Sequence, residues 1–362
     1  MSFLHRWFRK PQPIRSIPEF WNWFQGRQAR LHGALLRGSA IDAEVLEPVL
    51  DKLGQVQEGI YAEAGMKDAH TAEIIFTAQG NIRHFAFIED LVAAAPSLPG
   101  WTFTALKPPV DAAGLKIGIG DHQIEQSDLH FYPIVHVSRP DEIHIVVVHE
   151  GFTEANAVAL TQGIYLYLDR YLGELNFAIT IDNLTITGND DGGQERIPIG
   201  KLRDYLCWRQ KEFEQKYEAV ERNTEEDRFS VARAESQDGN TLVLLANTAL
   251  FGWDCKATHP WILKLEIGYD PQENGLPTEP VRVKMDALHE QMTALLSAWE
   301  GNLFVVRNTG EGKRTAYFAC RDFRSPSRVL ARIEKDWAGE LRMDADLYQD
   351  KYWQTFPSYQ FQ

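Results

Sequence analysis

Apolar positions recur at helical spacing soon after the start of the chain. Ser16-Ile-Pro18 places a serine ahead of a proline, a good helix start, and Phe20, Phe24, Leu31 and Leu35 follow on one stripe that Trp21 and Trp23 widen. A second helix is predicted from about Glu44, because Leu46, Val49, Leu50, Leu53, Val56 and Ile60 keep the three-four rhythm, with Pro48 in its first turn. Glu73–Thr77 reads as a buried strand ended by Gln79-Gly80-Asn81, and His84–Ala95 as a helix that stops before Pro96. Trp101–Leu106 is a further strand, stopped by Pro108 and Pro109, which cannot donate to a ladder.

Two apolar runs, Leu129–Val137 and Ile143–Val148, flank Ser138-Arg-Pro-Asp-Glu142, the spacing of an antiparallel hairpin. A helix with Leu160, Ile164, Leu168 and Leu172 on one face follows, then a strand over Phe177–Ile186. Lys211–Asp227 carries seven acidic and three basic residues and reads as a solvated helix end leading into a linker, which sets a boundary near residue 225. The expected domains are 1–225 and 226–362.

Beyond that boundary, Phe229–Ala234 and Leu242–Ala246 are strand-like, and Trp261, Leu263, Leu265 and Ile267 alternate with Ile262, Lys264 and Glu266. Met285, Leu288, Met292, Leu295, Leu296 and Trp299 mark an amphipathic helix. A hairpin is predicted from Leu303–Val306 and Thr315–Cys320 around Thr309-Gly-Glu-Gly312. A helix then starts at Ser325-Pro326 with Val329, Leu330, Ile333 and Trp337 on its apolar face, and Leu341–Leu347 supplies a last strand. The fold class is α+β: two units, each an antiparallel or mixed sheet with helices on one face, the C-terminal one in a split β-α-β order.

Small motifs then carry a resemblance. Asn247-Thr-Ala-Leu-Phe-Gly-Trp-Asp254, the strand around Trp261, Asn274-Gly-Leu-Pro277, the helix to Trp299, and Gly312-x-Arg314 before Tyr317-Phe318 resemble the bacterial domain of unknown function 695 over roughly residues 228–360. The resemblance implies a ferredoxin-like fold similar to the ribonuclease E regulator B family, whose members act by binding another protein, and it brings no catalytic residues. The N-terminal half resembles an uncharacterised module often joined to such domains, through Glu63-Ala-Gly65, Thr77-Ala-Gln-Gly80, Ala95-Pro-x-Leu98-Pro-Gly-Trp101, Lys107-Pro108, Leu168-Asp169 and Leu172-Gly-Glu174.

Candidate chemistry is sparse. Cys207, Cys255 and Cys320 are too far apart in sequence for a local C-x-x-C pair, and they read as structural thiols of a reducing compartment. His130, His136, His144 and His149 fall in the central hairpin, and the first three share parity, so they could line one sheet face; as strand histidines they read first as ordinary hydrogen-bonded side chains. His149-Glu150 lacks the second histidine of H-E-x-x-H, and neither G-x-x-x-x-G-K-[ST] nor G-x-S-x-G occurs. Asp182, Asp190, Asp191 and Glu195 surround a Gly-rich turn out of register with a calcium loop. Trp253-Asp254 is the most informative pair: an aromatic ring and a carboxylate in a polar loop can anchor a partner, against the plainer reading of a packed ring and a turn cap.

Charge narrows the picture further. With 51 acidic and 37 basic residues the formal net charge is −14, which disfavours a nucleic-acid surface. No run approaches the length of a membrane span. The basic aromatic stretch Met1–Lys10 lacks a signal-peptide core and is a candidate interfacial helix or docked arm. The expectation is a cytoplasmic, non-catalytic protein-binding or regulatory protein without cofactor or metal. Its partner is a protein, plausibly basic, such as an RNA-processing enzyme or a toxin met by an immunity-type protein. The rival is an enzyme or small-ligand binder with His130, His136 and His144 in a groove between the units. Nothing in the pattern sets an oligomeric state.

Overall fold

A computed structural model describes residues 13–188, 193–236 and 239–356 and is an α+β arrangement. The N-terminal arm over residues 1–10 and the pair Asp190 and Asp191 lie outside the described residues. One structural unit runs to Val110 and takes in Asp169–Leu175; the other holds Asp111–Leu168 and the chain from Asn176. Residue 225 falls inside the second unit.

In the first unit, the Ser16 hydroxyl accepts from the Glu19 amide (3.4 Å) and starts α1 (Ile17–Gln25). The long stripe predicted from Phe20 to Leu35 is two helices. Gly26 ends the first, Arg27 leaves helical geometry, and α2 (Gln28–Arg37) follows. After a π-helical turn, α3 (Glu47–Leu53) stops at Gly54, so Val56 and Ile60 lie beyond it. The strand β1 (Tyr61–Met66) gave no sequence signal because Ala62, Glu63, Ala64 and Gly65 are poor strand formers. It pairs antiparallel with β2 (Ala72–Thr77), which crosses through α4 (Ile82–Ala93) to a parallel β3 (Trp101–Ala105). Phe20, Trp21 and Phe24 meet Phe76, Trp101 and Phe103 edge-on, with Trp21 and Phe103 centroids 4.6 Å apart, and Trp21 Nε1 donates to the Leu91 carbonyl at 2.8 Å.

The second unit opens with the hairpin β4 (Lys116–Ile119) and β5 (His122–Glu125). Next come β6 (Leu129–Ile134) and β7 (His144–His149), antiparallel as predicted, then α5 (Ala157–Leu172), whose end from Asp169 belongs to the first unit. The predicted strand over Phe177–Ile186 is a helix in its first half: α6 (Glu174–Thr180) precedes β8 (Asn183–Thr187). With β9 (Ile197–Pro198) these strands form a sheet in the order β8-β7-β6-β9, and α7 (Leu202–Tyr217) follows.

The same unit contains a six-stranded antiparallel sheet, β10-β11-β13-β14-β12-β15. Its members are β10 (Phe229–Glu235), β11 (Thr241–Asn247), β12 (Trp261–Gly268), β13 (Asn302–Gly310), β14 (Lys313–Cys320) and β15 (Arg342–Gln349), with α8 (Glu279–Leu295) before β13 and α9 (Arg324–Asp336) before β15. Phe304 and Phe318 pack on His289 of α8, while Tyr317 and Ala319 join Ile262, Val306, Trp353 and Phe356 in a second core on the opposite face. β14 is therefore buried on both faces, which its apolar run Ala316–Cys320 fits. Trp299 departs from prediction. α8 ends at Leu295, Leu296 takes a non-helical conformation, and a short 3-10 turn over Ala298–Glu300 leaves Trp299 96% exposed.

One buried node explains several N-terminal motifs. The Glu174 carboxylate accepts the amides of Ala78 (3.1 Å), Gly80 (3.0 Å) and Lys107 (3.1 Å), and Lys107 Nζ pairs with Asp169. Buried amides need such acceptors, so Thr77-Ala-Gln-Gly80, Lys107-Pro108, Asp169 and Glu174 belong to one structural device.

Candidate functional site

The histidines of the central hairpin are only partly brought together. His136, just past β6, places Nε2 3.2 Å from His144 Nδ1, and the rings stack with centroids 5.5 Å apart. His144 Nε2 also lies 3.0 Å from the Thr185 hydroxyl; burial, with His136 and Arg139 nearby, lowers its pKa, which favours a neutral ring. His130 pairs in register with Val148, whereas His144 pairs with Ile134, so His130 is roughly 13 Å along the strand. It lines a separate cavity with Glu125 and Gln126, and its Nδ1 is buried without a partner. Among the described residues, no group of three His, Cys, Asp or Glu side chains converges to hold a metal ion.

Beside the histidine pair, the β6–β7 loop supplies a buried polar network. Asp141 accepts from Lys216 Nζ through both oxygens (2.8 and 3.0 Å), from Tyr217 (2.8 Å) and from Tyr352 (2.6 Å). Lys351 donates to Asp182 (2.6 Å) and to the Asp141 carbonyl (3.1 Å), and Asp182 also accepts the Ile143 amide (2.7 Å). Burial would raise the Asp141 carboxyl, but the bonds from Lys216, Tyr352 and Tyr217 outweigh it and hold the pKa below its ordinary value. For Asp182 burial prevails over Lys351, and its pKa is raised; burial likewise raises Glu142 against Arg139. A carboxylate offers about four acceptor positions. Those of Asp141 are filled from within the fold, so the network is suited to holding β6–β7, α7 and the turn after β15 together rather than to meeting a substrate.

Open polar groups lie elsewhere in this unit, around Arg222. Its guanidinium pairs with Asp227 and sits 5.9 Å over the Trp253 ring, yet Nε is buried without a hydrogen-bond partner. Arg222 lines two cavities. One, of about 470 Å³, also contains His259, Trp299 and Arg321; the other, of about 380 Å³, contains Arg228 and Trp253. Trp253 is half-buried, edge-on to His259 (5.2 Å) and close to Trp353 (5.9 Å), while Asp254 is exposed. The ring thus packs under its loop on one side and borders a cavity on the other.

Residues 236–361 match a family of unknown function, DUF695. No curated protein and no solved structure matches the chain. Trp253, Asp254, His259, Trp299, Arg321, Lys351 and Tyr352 fall within the matched segment; Arg222, Arg228, Asp141 and Asp182 precede it. Both the polar network and the Arg222 cavities are therefore built jointly by the family segment and the chain before it.

His259 was not singled out by the sequence, and its environment is the most altered of the group. Its Nδ1 lies 2.9 Å from the Thr258 hydroxyl, which donates its proton to the Cys255 carbonyl at 2.7 Å. The hydroxyl must therefore accept Nδ1–H, which leaves Nε2 as the lone-pair nitrogen. Burial, aided by Arg321 and Arg222, pushes its pKa down to about 3. No local motif marks Arg222, His259 and Arg321, since they come from three distant segments, and Arg222 sits inside the acidic stretch that reads as a linker.

A final feature is β10, an edge of the six-stranded sheet. Phe229 is 59% exposed and Val231 68% exposed, on alternate positions of a seven-residue strand.

Proposed function

We propose that the protein is a non-catalytic binding protein that acts in the cytoplasm on a protein partner, taking an extended segment of that partner along β10. The observation that carries this reading is the edge itself: β10 offers two large apolar side chains beside an open ladder, with no proline to block it. Arg233 and Glu235 put charge farther along the same face, so the stretch from Phe229 to Val231 is the part of the edge left apolar for pairing. Glu225 and Glu226, both exposed, precede the strand, so a partner segment with basic residues at one end complements it, whereas Asp227 is taken by Arg222. Likeness of the six-stranded sheet to ferredoxin-like, protein-binding regulators supports the same reading by analogy.

Val231→Lys tests it. The side chain is exposed, so the fold should survive, while lysine on an edge opposes strand addition. Wild-type protein is expected to retain a specific partner from its native cells and to gain hydrogen-exchange protection at β10, and the variant to lose both. A wild-type protein that retains no specific partner, or a variant that retains it undiminished, would overturn the reading.

A further inference from the structure

We propose that the cavity formed by Arg222, His259, Trp299 and Arg321 binds a small ligand with a flat ring and a single oxyanion, of the size and chemistry of a nucleoside monophosphate. This site goes beyond the docking edge and stands independently of it.

Arg321 is the first support. Some arginines of this unit are taken up by carboxylates: Arg314 reaches Asp286, Arg282 reaches Glu279, and Arg342 reaches Asp270. Arg321 instead gives one bond, to the Val220 carbonyl at 2.9 Å, and no carboxylate among the described residues pairs with it. Its stem is held in place by Gly301, whose φ is +79°; a Cβ there would lie 2.7 Å from Arg321 Cδ and 2.9 Å from Cγ. A cation is thus held at the cavity with guanidinium donors unused, while Arg222 beside it is already paired with Glu226 and Asp227.

Trp299 is the second. An indole 96% exposed is unusual for so large an apolar ring, and here it belongs to the cavity wall. Its exposure follows from the end of α8 at Leu295, which removes it from the buried stripe of Met285, Leu288 and Met292. A ring so placed can stack on a flat ligand.

His259 is the third. Its neutral Nε2 accepts a hydrogen bond, which suits a sugar hydroxyl or an amino group. Glu221 and Glu300 also line the cavity and oppose a polyanion such as a nucleic-acid backbone, which leaves the Arg321 end as the place for a single anionic group. The volume of about 470 Å³ lies in the range of small-molecule sites.

Aromatic carboxylates share the ring-plus-oxyanion chemistry, so the test separates the two sources. Full-length protein is titrated by calorimetry with AMP, UMP, indole-3-carboxylate, adenosine and inorganic phosphate. AMP or UMP is expected to bind, with adenosine weakened about tenfold or more because it lacks the oxyanion. Arg321→Met is expected to weaken the oxyanion ligands about tenfold, and Trp299→Ala to weaken the ring-bearing ligands about fivefold or more while leaving inorganic phosphate unchanged. Both side chains are exposed, so each variant is expected to fold, which circular dichroism checks. Tighter binding of indole-3-carboxylate than of either nucleotide would overturn the phosphate assignment. Absence of binding by all three ring-bearing oxyanions, or affinities unmoved by both substitutions, would overturn the site. Because none of these measurements involves β10, their failure leaves the partner reading untouched, and failure of the Val231→Lys test leaves this site untouched.

Discussion

Two histidines of the C-terminal sheet region, His259 buried and His289 half-buried, are held neutral, and that fixes how stability responds to acid. Burial, with Arg321 and Arg222 near, holds His259 at about 3; burial, with Arg307 and Arg314 near, holds His289 at about 4. In the unfolded chain both return to about 6.5, so below that pH the unfolded state binds protons that the fold refuses. Stability is then fully present above about pH 6.5 and falls as the pH drops toward about 4, at about 1.4 kcal/mol per pH unit for each group once well below 6.5. Urea denaturation at pH 6 and pH 5 is expected to show a loss of about 2 kcal/mol, reduced in the His259→Asn, His289→Asn double variant; an unchanged slope would refute the assignment. Neither residue could be chosen from sequence. Their pKa shifts arise first from burial by the tertiary fold and then from arginines on other segments, neither of which any pattern around His259 or His289 encodes.

At the scale of elements, helices and buried strands were legible wherever one period ran unbroken, as in β12, where Trp261, Leu263, Leu265 and Ile267 are all buried. The failures have local causes. The stripe from Phe20 to Leu35 continues across Gly26, yet the backbone does not; Phe177 continues an apolar run, yet Glu174 starts a helix that contains it. Trp299 fits the helical spacing of α8 but lies beyond its end, and this misplacement hid the most exposed aromatic ring of the candidate cavity. The β13–β14 turn is a sharper case. Glu311 and Gly312 both have positive φ, 53° and 77°, in a two-residue hairpin loop that favours Asn-Gly. Glu311→Asn is expected to stabilise the protein by about 0.5–1 kcal/mol, read as a raised thermal midpoint; a lowered one would show that Glu311 has a role the turn does not explain.

Across the whole molecule, residues far apart in sequence close the same interior. Asp182 and Lys351 are 169 residues apart, and each side chain is 9% exposed. Lys351→Met leaves Asp182 buried without its cation, at a cost of about 3–5 kcal/mol. Hydrogen exchange should then quicken in β7 and β8, because Asp182 also receives the Ile143 amide at the start of β7. Exchange unchanged in those strands would show that the pair does not couple them to the turn after β15. The α+β class was readable along the chain; these closures were not, since an aspartate after α6 and a lysine after β15 carry no mark of one another.

The Glu174 node sets an order on synthesis. Glu174 follows Ala78, whose amide it accepts, by 96 residues, and it follows Lys107 by 67. While the ribosome is still making the intervening hairpins, β2 and β3 have emerged but the amides of Ala78, Gly80 and Lys107 have no carboxylate to receive them. The first unit can lock only when residue 174 leaves the exit tunnel, by which time strands of the second are already exposed. In the second, the Asp182–Lys351 pair forms later still, once Lys351 has emerged. Nascent chains released between those two points should therefore be the ones most dependent on chaperones.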